Sequence, residues 1–167
     1  MISSRTVAQG SNLSAFVALT VQRLDRVPYA LLALPLRFAL ATVFWNSAMT
    51  KLADWDTTIS LFANDYQVPL LPPEIAAYMA ASMELATPVL LVLGLFTRAA
   101  ALVLLGMTAV IEIFVYPLAW PTHIQWAAML LILLCRGAGK LSLDELVWHR
   151  FGQRYAVPAV SARKNEF

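Results

Sequence analysis

An all-α integral membrane protein is the fold class that three observations predict: a four-helix bundle, N-in and C-in, with short interfacial amphipathic helices. The chain is 60% hydrophobic and 13% charged over 167 residues, against roughly 45–50% apolar and 25% charged in a soluble domain. Its apolar residues gather into four runs, each close to the roughly 20 residues a helix needs to cross a bilayer. Ten of the twelve Lys and Arg lie at one set of run ends, as expected when positive flanks stay in the cytoplasm.

Residues 1–27 read as a cytoplasmic N-terminal segment. Their apolar stretch, Leu13 to Val21, is short and lacks a small-residue cleavage site, so it is not read as a removable signal. A four-span domain follows over 28–136. Span one covers about 29–50, is interrupted by Pro35 and Arg37, and ends at Lys51, Asp54 and Asp56. Spans two and three, about 75–96 and 99–118, carry Glu84 and Glu112, and span four covers about 119–135 before Arg136. Little more than Thr97-Arg98 separates spans two and three, so they should pack as an antiparallel hairpin.

Between spans one and two, the loop from Lys51 to Glu74 should face outward. Trp55, Ile59 and Phe62 recur there at i, i+4 and i+7, which predicts a short interfacial helix. Residues 137–167 form a cytoplasmic tail. Ser142 and Glu145 make an S-x-x-E capping box, and Leu143, Leu146, Val147, Phe151 and Tyr155 share one face beside Arg150 and Arg154, predicting an amphipathic surface helix.

Composition excludes several functions. A net charge of +2 with scattered basic residues argues against nucleic-acid binding. One cysteine, Cys135, allows no internal disulfide or CxxC pair, and two histidines, His123 and His149, predict no metal site and no haem held by facing imidazoles. Gly137-Ala-Gly-Lys140 lacks the upstream glycine spacing of a phosphate loop and has Leu141 where Ser or Thr should stand.

Candidate site residues come from charges inside the spans, each costing about 2.5–3.5 kcal/mol on insertion scales. At 1.5 Å per residue Arg37 lies roughly 14 Å, and Glu84 and Glu112 roughly 20 Å, from the cytoplasmic side. Arg37 and Glu84 are therefore expected to form a buried charge pair, with Glu112 as the other partner open to Arg37. Such a pair either fixes helix register or serves function. Lys51, Glu112, Tyr116 and His123 should converge on an outward polar mouth, although a histidine at a span end beside Trp120 and Trp126 reads first as an interfacial anchor. Trp45, Trp120 and Trp126 suit either an aromatic belt or a cofactor-binding cleft.

From Leu36 to Asp144 the sequence resembles the DoxX family. The resemblance rests on Arg37, the Phe44-Trp-Asn-Ser47-x-x-x-Lys51 stretch, Asp54, Val68-Pro69, and Glu84 followed by Leu91-Val-Leu-Gly94-Leu-Phe-Thr97-Arg98. It continues through His123-Ile-Gln-Trp126 and Gly137-x-Gly139-x-x-Ser142-x-Asp144. Two departures stand out: Ala48 where the family often has glycine, which would widen that helix contact, and Glu112. The resemblance implies a four-helix bundle in the bacterial inner membrane that supports redox chemistry, as in thiosulfate:quinone oxidoreductase and oxidative-stress complexes. It implies at most an accessory subunit of an oxidoreductase, with quinone as its candidate cofactor. Membrane lipid and either a protein partner or a second copy are the expected partners. The alternative is a non-enzymatic scaffold, assembly factor or small-solute carrier, since more distant four-span relatives act as cargo receptors or chaperones.

Overall fold

The computed structural model describes residues 4–151, which contain no strand. Helix α1 (Ser4–Asp25) leads into α2 (Tyr29–Ala53), and the short α3 (Trp55–Leu61) continues as a π-helical turn, Phe62–Tyr66. Helices α4 (Pro73–Leu93) and α5 (Thr97–Val110) form a hairpin, and α5 extends through a second π turn, Ile111–Val115. A 3₁₀ turn, Pro117–Ala119, enters α6 (Trp120–Arg136), and α7 (Leu143–Phe151) closes the described chain. Four segments, Tyr29–Ala53, Pro73–Leu93, Thr97–Val115 and Pro117–Arg136, are long and apolar enough to cross a membrane.

One end of the bundle holds the start of α2, the α4–α5 turn and the exit of α6; Arg98, Arg136 and Lys140 make it the basic end. The loop end holds α3 and the α5–α6 junction. Span boundaries follow backbone chemistry more closely than hydropathy. Pro73 starts α4 because its missing N–H falls where no helical partner exists, and Gly94, at φ +65°, stops it. The last turn is a Schellman motif: Leu95 N–H donates to Leu90 C=O at 2.9 Å and Gly94 N–H to Leu91 C=O at 3.1 Å. Residues 94–96, apolar enough to be read into span two, are therefore the turn itself.

Close packing replaces the hydrophobic effect as the force between helices in lipid, so small residues gather at the contacts. Ala33, Ala41 and Ala48 of α2 and Ala77 and Ala81 of α4 are buried, with Leu40 and Phe44 among them. Ala48 is fully covered, so its methyl fits the contact without opening it. The outward faces carry Leu31, Phe38, Val89, Leu102 and Ile132 exposed, as lipid-facing residues should be.

Two flanking helices differ from the expectation. The N-terminal segment is helical, with Leu13, Phe16, Val17 and Leu24 exposed on one stripe; their 3.6-residue spacing is present in the sequence but diluted by polar neighbours. Helix α3 does more than lie on an interface. Phe62, beyond its end, is buried against Ala76 and Ala77 of α4, with Trp55, Ile59 and Tyr66 packed around them. Asp54 starts α3, accepting from Thr57 N–H at 2.9 Å and from its hydroxyl at 2.7 Å. Those bonds, the backbone one foremost, hold the Asp54 carboxyl below its ordinary pKa. In the tail, Ser142 caps α7 by accepting from Glu145 N–H at 3.3 Å. Arg154 and Tyr155, assigned to the same amphipathic face, lie outside the described residues.

Candidate functional site

Polar groups inside the bundle form two centres, one at each end. At the basic end Arg37 is buried to 2% exposure, and its guanidinium meets backbone carbonyls in place of a carboxylate. Nε donates to Leu91 C=O at 2.6 Å and Nη2 to Val92 C=O at 2.6 Å. Nη1 donates to Leu141 C=O at 2.8 Å and, more weakly, to Ala138 C=O at 3.4 Å. A cation at the C-terminus of α4 suits both the helix dipole and the orphan carbonyls of the last turn. Asp144 supplies the opposite charge to the start of α5, its two oxygens accepting from Phe96 N–H at 2.7 Å and Thr97 N–H at 3.0 Å. Asp144 N–H also donates to Gly94 C=O at 2.9 Å. The contact is so tight that a Cβ on Gly94 would stand 2.6 Å from Ser142 Cβ and 2.7 Å from Arg37 Nη2. Arg37, Gly94 and Asp144 thus staple the α4–α5 turn to the segment after α6.

The expected Arg37–Glu84 pair is corrected accordingly. Glu84, 1% exposed, pairs with Lys51, whose Nζ lies 2.9 Å from each carboxylate oxygen. Ser47 completes the cluster, accepting from Lys51 at 2.9 Å and donating to Glu84 Oε1 at 3.0 Å. Depth reasoning placed Lys51 at the boundary by its Cα, but its four-carbon stem carries the ammonium inward to the carboxylate. Arg37 points the other way because the α4 carbonyls lie within its reach. The signal for the true pair was available: Ser47 and Lys51, four residues apart, share a face of α2. One oxygen, Glu84 Oε2, is buried and lacks an aligned hydrogen-bond donor despite the nearby ammonium.

This cluster closes one end of a half-open cavity of about 530 Å³ in the loop half of the bundle. Tyr66, Tyr116, His123 and Trp126 also line it, and most of its remaining wall is aliphatic side chains of α4 and α5. His123 Nδ1 lies 2.5 Å from Glu112 Oε2, and Glu112 stands outside the lining, behind the imidazole. That leaves Nε2 as the ring nitrogen free for another partner among the described residues. The two tyrosine hydroxyls meet at 3.1 Å, joining the α3 loop to the α5–α6 junction. Burial, and then the bond to Tyr116, raises the pKa of Tyr66, so it stays a neutral donor or acceptor. Each π turn ends beside this pair, and such wide turns are frequent at functional sites.

The structure therefore brings Lys51, Tyr116 and His123 to one cavity, with Glu112 holding the histidine and Glu84 added to the set. The three tryptophans are dispersed. Trp126 lines the cavity with its ring 5.6 Å from Phe44 in an edge contact; Trp45 borders a separate groove of about 340 Å³ between α2 and α4; Trp120 lines neither and is exposed. No group of three or more potential metal ligands occurs among the described residues.

A protein of Haemophilus influenzae described as uncharacterized is 33% identical over 127 residues, covering 67% of this chain and 80% of that protein. No solved structure matches significantly. The DoxX family profile matches residues 32–117, a span running from the helix that carries Arg37 and Lys51, through Glu84 and the Gly94 turn, to Tyr116 at the cavity mouth. With more than half of its length matched, and with four apolar helices of spanning length, the chain belongs to the DoxX family of multi-pass membrane proteins.

Proposed function

We propose that this chain is a bacterial inner-membrane subunit that supports redox chemistry by holding a quinone headgroup in the loop-half cavity for a partner oxidoreductase. The observation that carries the reading is an apolar cavity ending in the Lys51–Glu84 ion pair and in His123, whose Nε2 has no partner among the described residues. Its volume falls within the roughly 300–1,000 Å³ common for small-molecule sites. A bound quinone supplies a two-electron, two-proton acceptor. Toward such a head, Lys51, Tyr116 and His123 offer donors to carbonyl oxygens, and Glu84 offers an acceptor to a hydroxyl. Phe44, Tyr66 and Trp126 supply flat apolar surface. The same reading places the basic end in the cytoplasm and the cavity near the outer face, from the distribution of Lys and Arg.

The test of binding is extraction of purified protein and assay of the extract for quinone, followed by titration of stripped protein with a chainless 1,4-benzoquinone. Stoichiometric quinone, or saturable binding weakened at least tenfold by Glu84→Gln or His123→Ala, is expected. Neither quinone nor binding, together with a stably co-purifying partner, would replace this reading with the scaffold. Orientation is tested in a Cys135→Ser background with an impermeant thiol reagent on intact cells: Ala63→Cys should react and Lys140→Cys should not, and the reverse would invert the topology.

A further inference from the structure

The cavity is not closed on all sides by protein. Met79 of α4 and Leu102, Val103 and Val110 of α5 line it while remaining 42%, 58%, 38% and 38% exposed. Residues that are at once cavity wall and outer surface mark an opening, and here the opening is a seam between two helices of membrane-spanning length. Gly106 stands on the same wall of α5, and a Cβ built on it would meet nothing within 4 Å. The seam thus runs from Leu102 and Val103 past the mid-span Gly106 to Val110 nearer the loops, whereas the basic end of the same two helices is closed by the Gly94 turn and the Asp144 bonds.

We propose that this seam is a lateral portal through which a ligand enters from the hydrocarbon of the bilayer, and that the ligand is an amphiphile whose alkyl or isoprenoid chain lies along the seam past Gly106. The inference rests on the quinone reading for the head and adds the chain and its path. Three features favour a chain-bearing occupant. The seam is continuous with the polar cluster inside a single cavity, so head and chain need one ligand only. The portal side is aliphatic: Met79, Leu102, Val103 and Val110 offer no hydrogen bond that would make a polar solute prefer it. A compact water-soluble solute needs no opening toward lipid, whereas a molecule dissolved in the membrane can use only such an opening.

Because a Cβ on Gly106 meets nothing within 4 Å, substitution there starts without a clash, and replacing helical glycine also favours the helix. The experiment compares two probes by native mass spectrometry of the detergent-solubilised protein: a chainless 1,4-benzoquinone and the same headgroup bearing a ten-carbon chain. Wild type and Gly106→Ala should bind both. Gly106→Trp should lose at least tenfold in affinity for the chain-bearing probe and stay within about twofold for the chainless one, and Val103→Trp should repeat that pattern. Unchanged binding of both probes in the two tryptophan variants would overturn the portal and leave the head site standing. Equal loss of both probes from a folded variant would also overturn it, since the seam would then be part of the head site. If wild type binds neither probe, the quinone reading itself falls and the portal falls with it.

Discussion

Replacing Arg37 with methionine should be among the most destabilising single changes in this chain. The guanidinium uses four of its five N–H donors on carbonyls of Leu91, Val92, Ala138 and Leu141. Hydrogen bonds involving a charged group contribute about 1.5–3 kcal/mol each, but these four are neither independent nor free of the cost of burying a cation. Removing the guanidinium leaves buried carbonyls without donors at about 1–3 kcal/mol each, so the non-additive set should cost about 3–5 kcal/mol. At roughly 2–4 °C per kcal/mol for a chain of this size, Arg37→Met should melt about 6–20 °C below wild type. Arg37→Lys keeps the charge but loses the planar fork, so it should fall between the two. The assay is thermal unfolding in one fixed detergent, followed by helical circular dichroism. Amide exchange should locate the first loss of protection at the α4–α5 turn and residues 137–142. A melting point within about 2 °C of wild type for Arg37→Met would refute the claim that these carbonyls depend on Arg37.

Other consequences follow from the same geometry. A double-mutant cycle between Lys51 and Glu84, using Met and Gln, should give a coupling of at least about 1 kcal/mol, while the cycle between Arg37 and Glu84 should give about zero; the reverse would restore the pairing expected from depth alone. Asp144→Ala removes the acceptor of two N–H groups at the start of α5 and should cost about 1–2 kcal/mol, with Asp144→Asn losing less in the same melting assay. The depressed pKa of Asp54 means that its contribution to α3 is present above the ordinary aspartate value of about 3.9 and is lost as pH falls through its lower folded value. Exchange protection of the Thr57 and Thr58 amides should therefore decline on acidification in wild type and be weak at every pH in Asp54→Ala; a pH-independent wild type would contradict that capping role.

The sequence reveals the bundle because four stretches of about 20 apolar residues have few alternatives to spanning helices. Tight joints in the sequence likewise foretell the α4–α5 hairpin. What misled the site assignment was the measurement of depth at the Cα. Arg37 and Lys51 have long side chains that can act more than a helical turn away in either direction, so Cα depth cannot select a partner, and backbone carbonyls do not register as candidates when only charged side chains are paired. The role of Asp144 was hidden for a related reason. Its targets are the N–H groups of Phe96 and Thr97, left as donors without helical partners only because Gly94 ends one helix and another begins. Conversely, the S-x-x-E box at Ser142 was legible, since its bond is local and needs no tertiary knowledge.

The two polar centres differ in a way that separates structure from chemistry. Around Arg37 a rigid fork meets fixed carbonyls at a helix end, and both Gly94 and Gly139 sit where a Cβ would press within 3.0 Å of neighbouring atoms, although Thr97 Oγ1 at the same end is buried without a hydrogen-bond partner among the described residues. Around Glu84 the accounting is open. One carboxylate oxygen is buried without an aligned donor, an imidazole nitrogen has no partner among the described residues, and the space between them is apolar and continuous with a gap between helices. Lys51 neutralises that carboxylate at 2.9 Å, so the imidazole nitrogen is the group left open in this centre. Both centres share α2 and α4, with Arg37 fixing the helices at one end and the Lys51–Glu84 pair joining them at the other. The Arg37 and Asp144 bonds fix the α4–α5 turn at the basic end, while the cavity lined by Glu84 and His123 lies farther along the same helices, toward the loops.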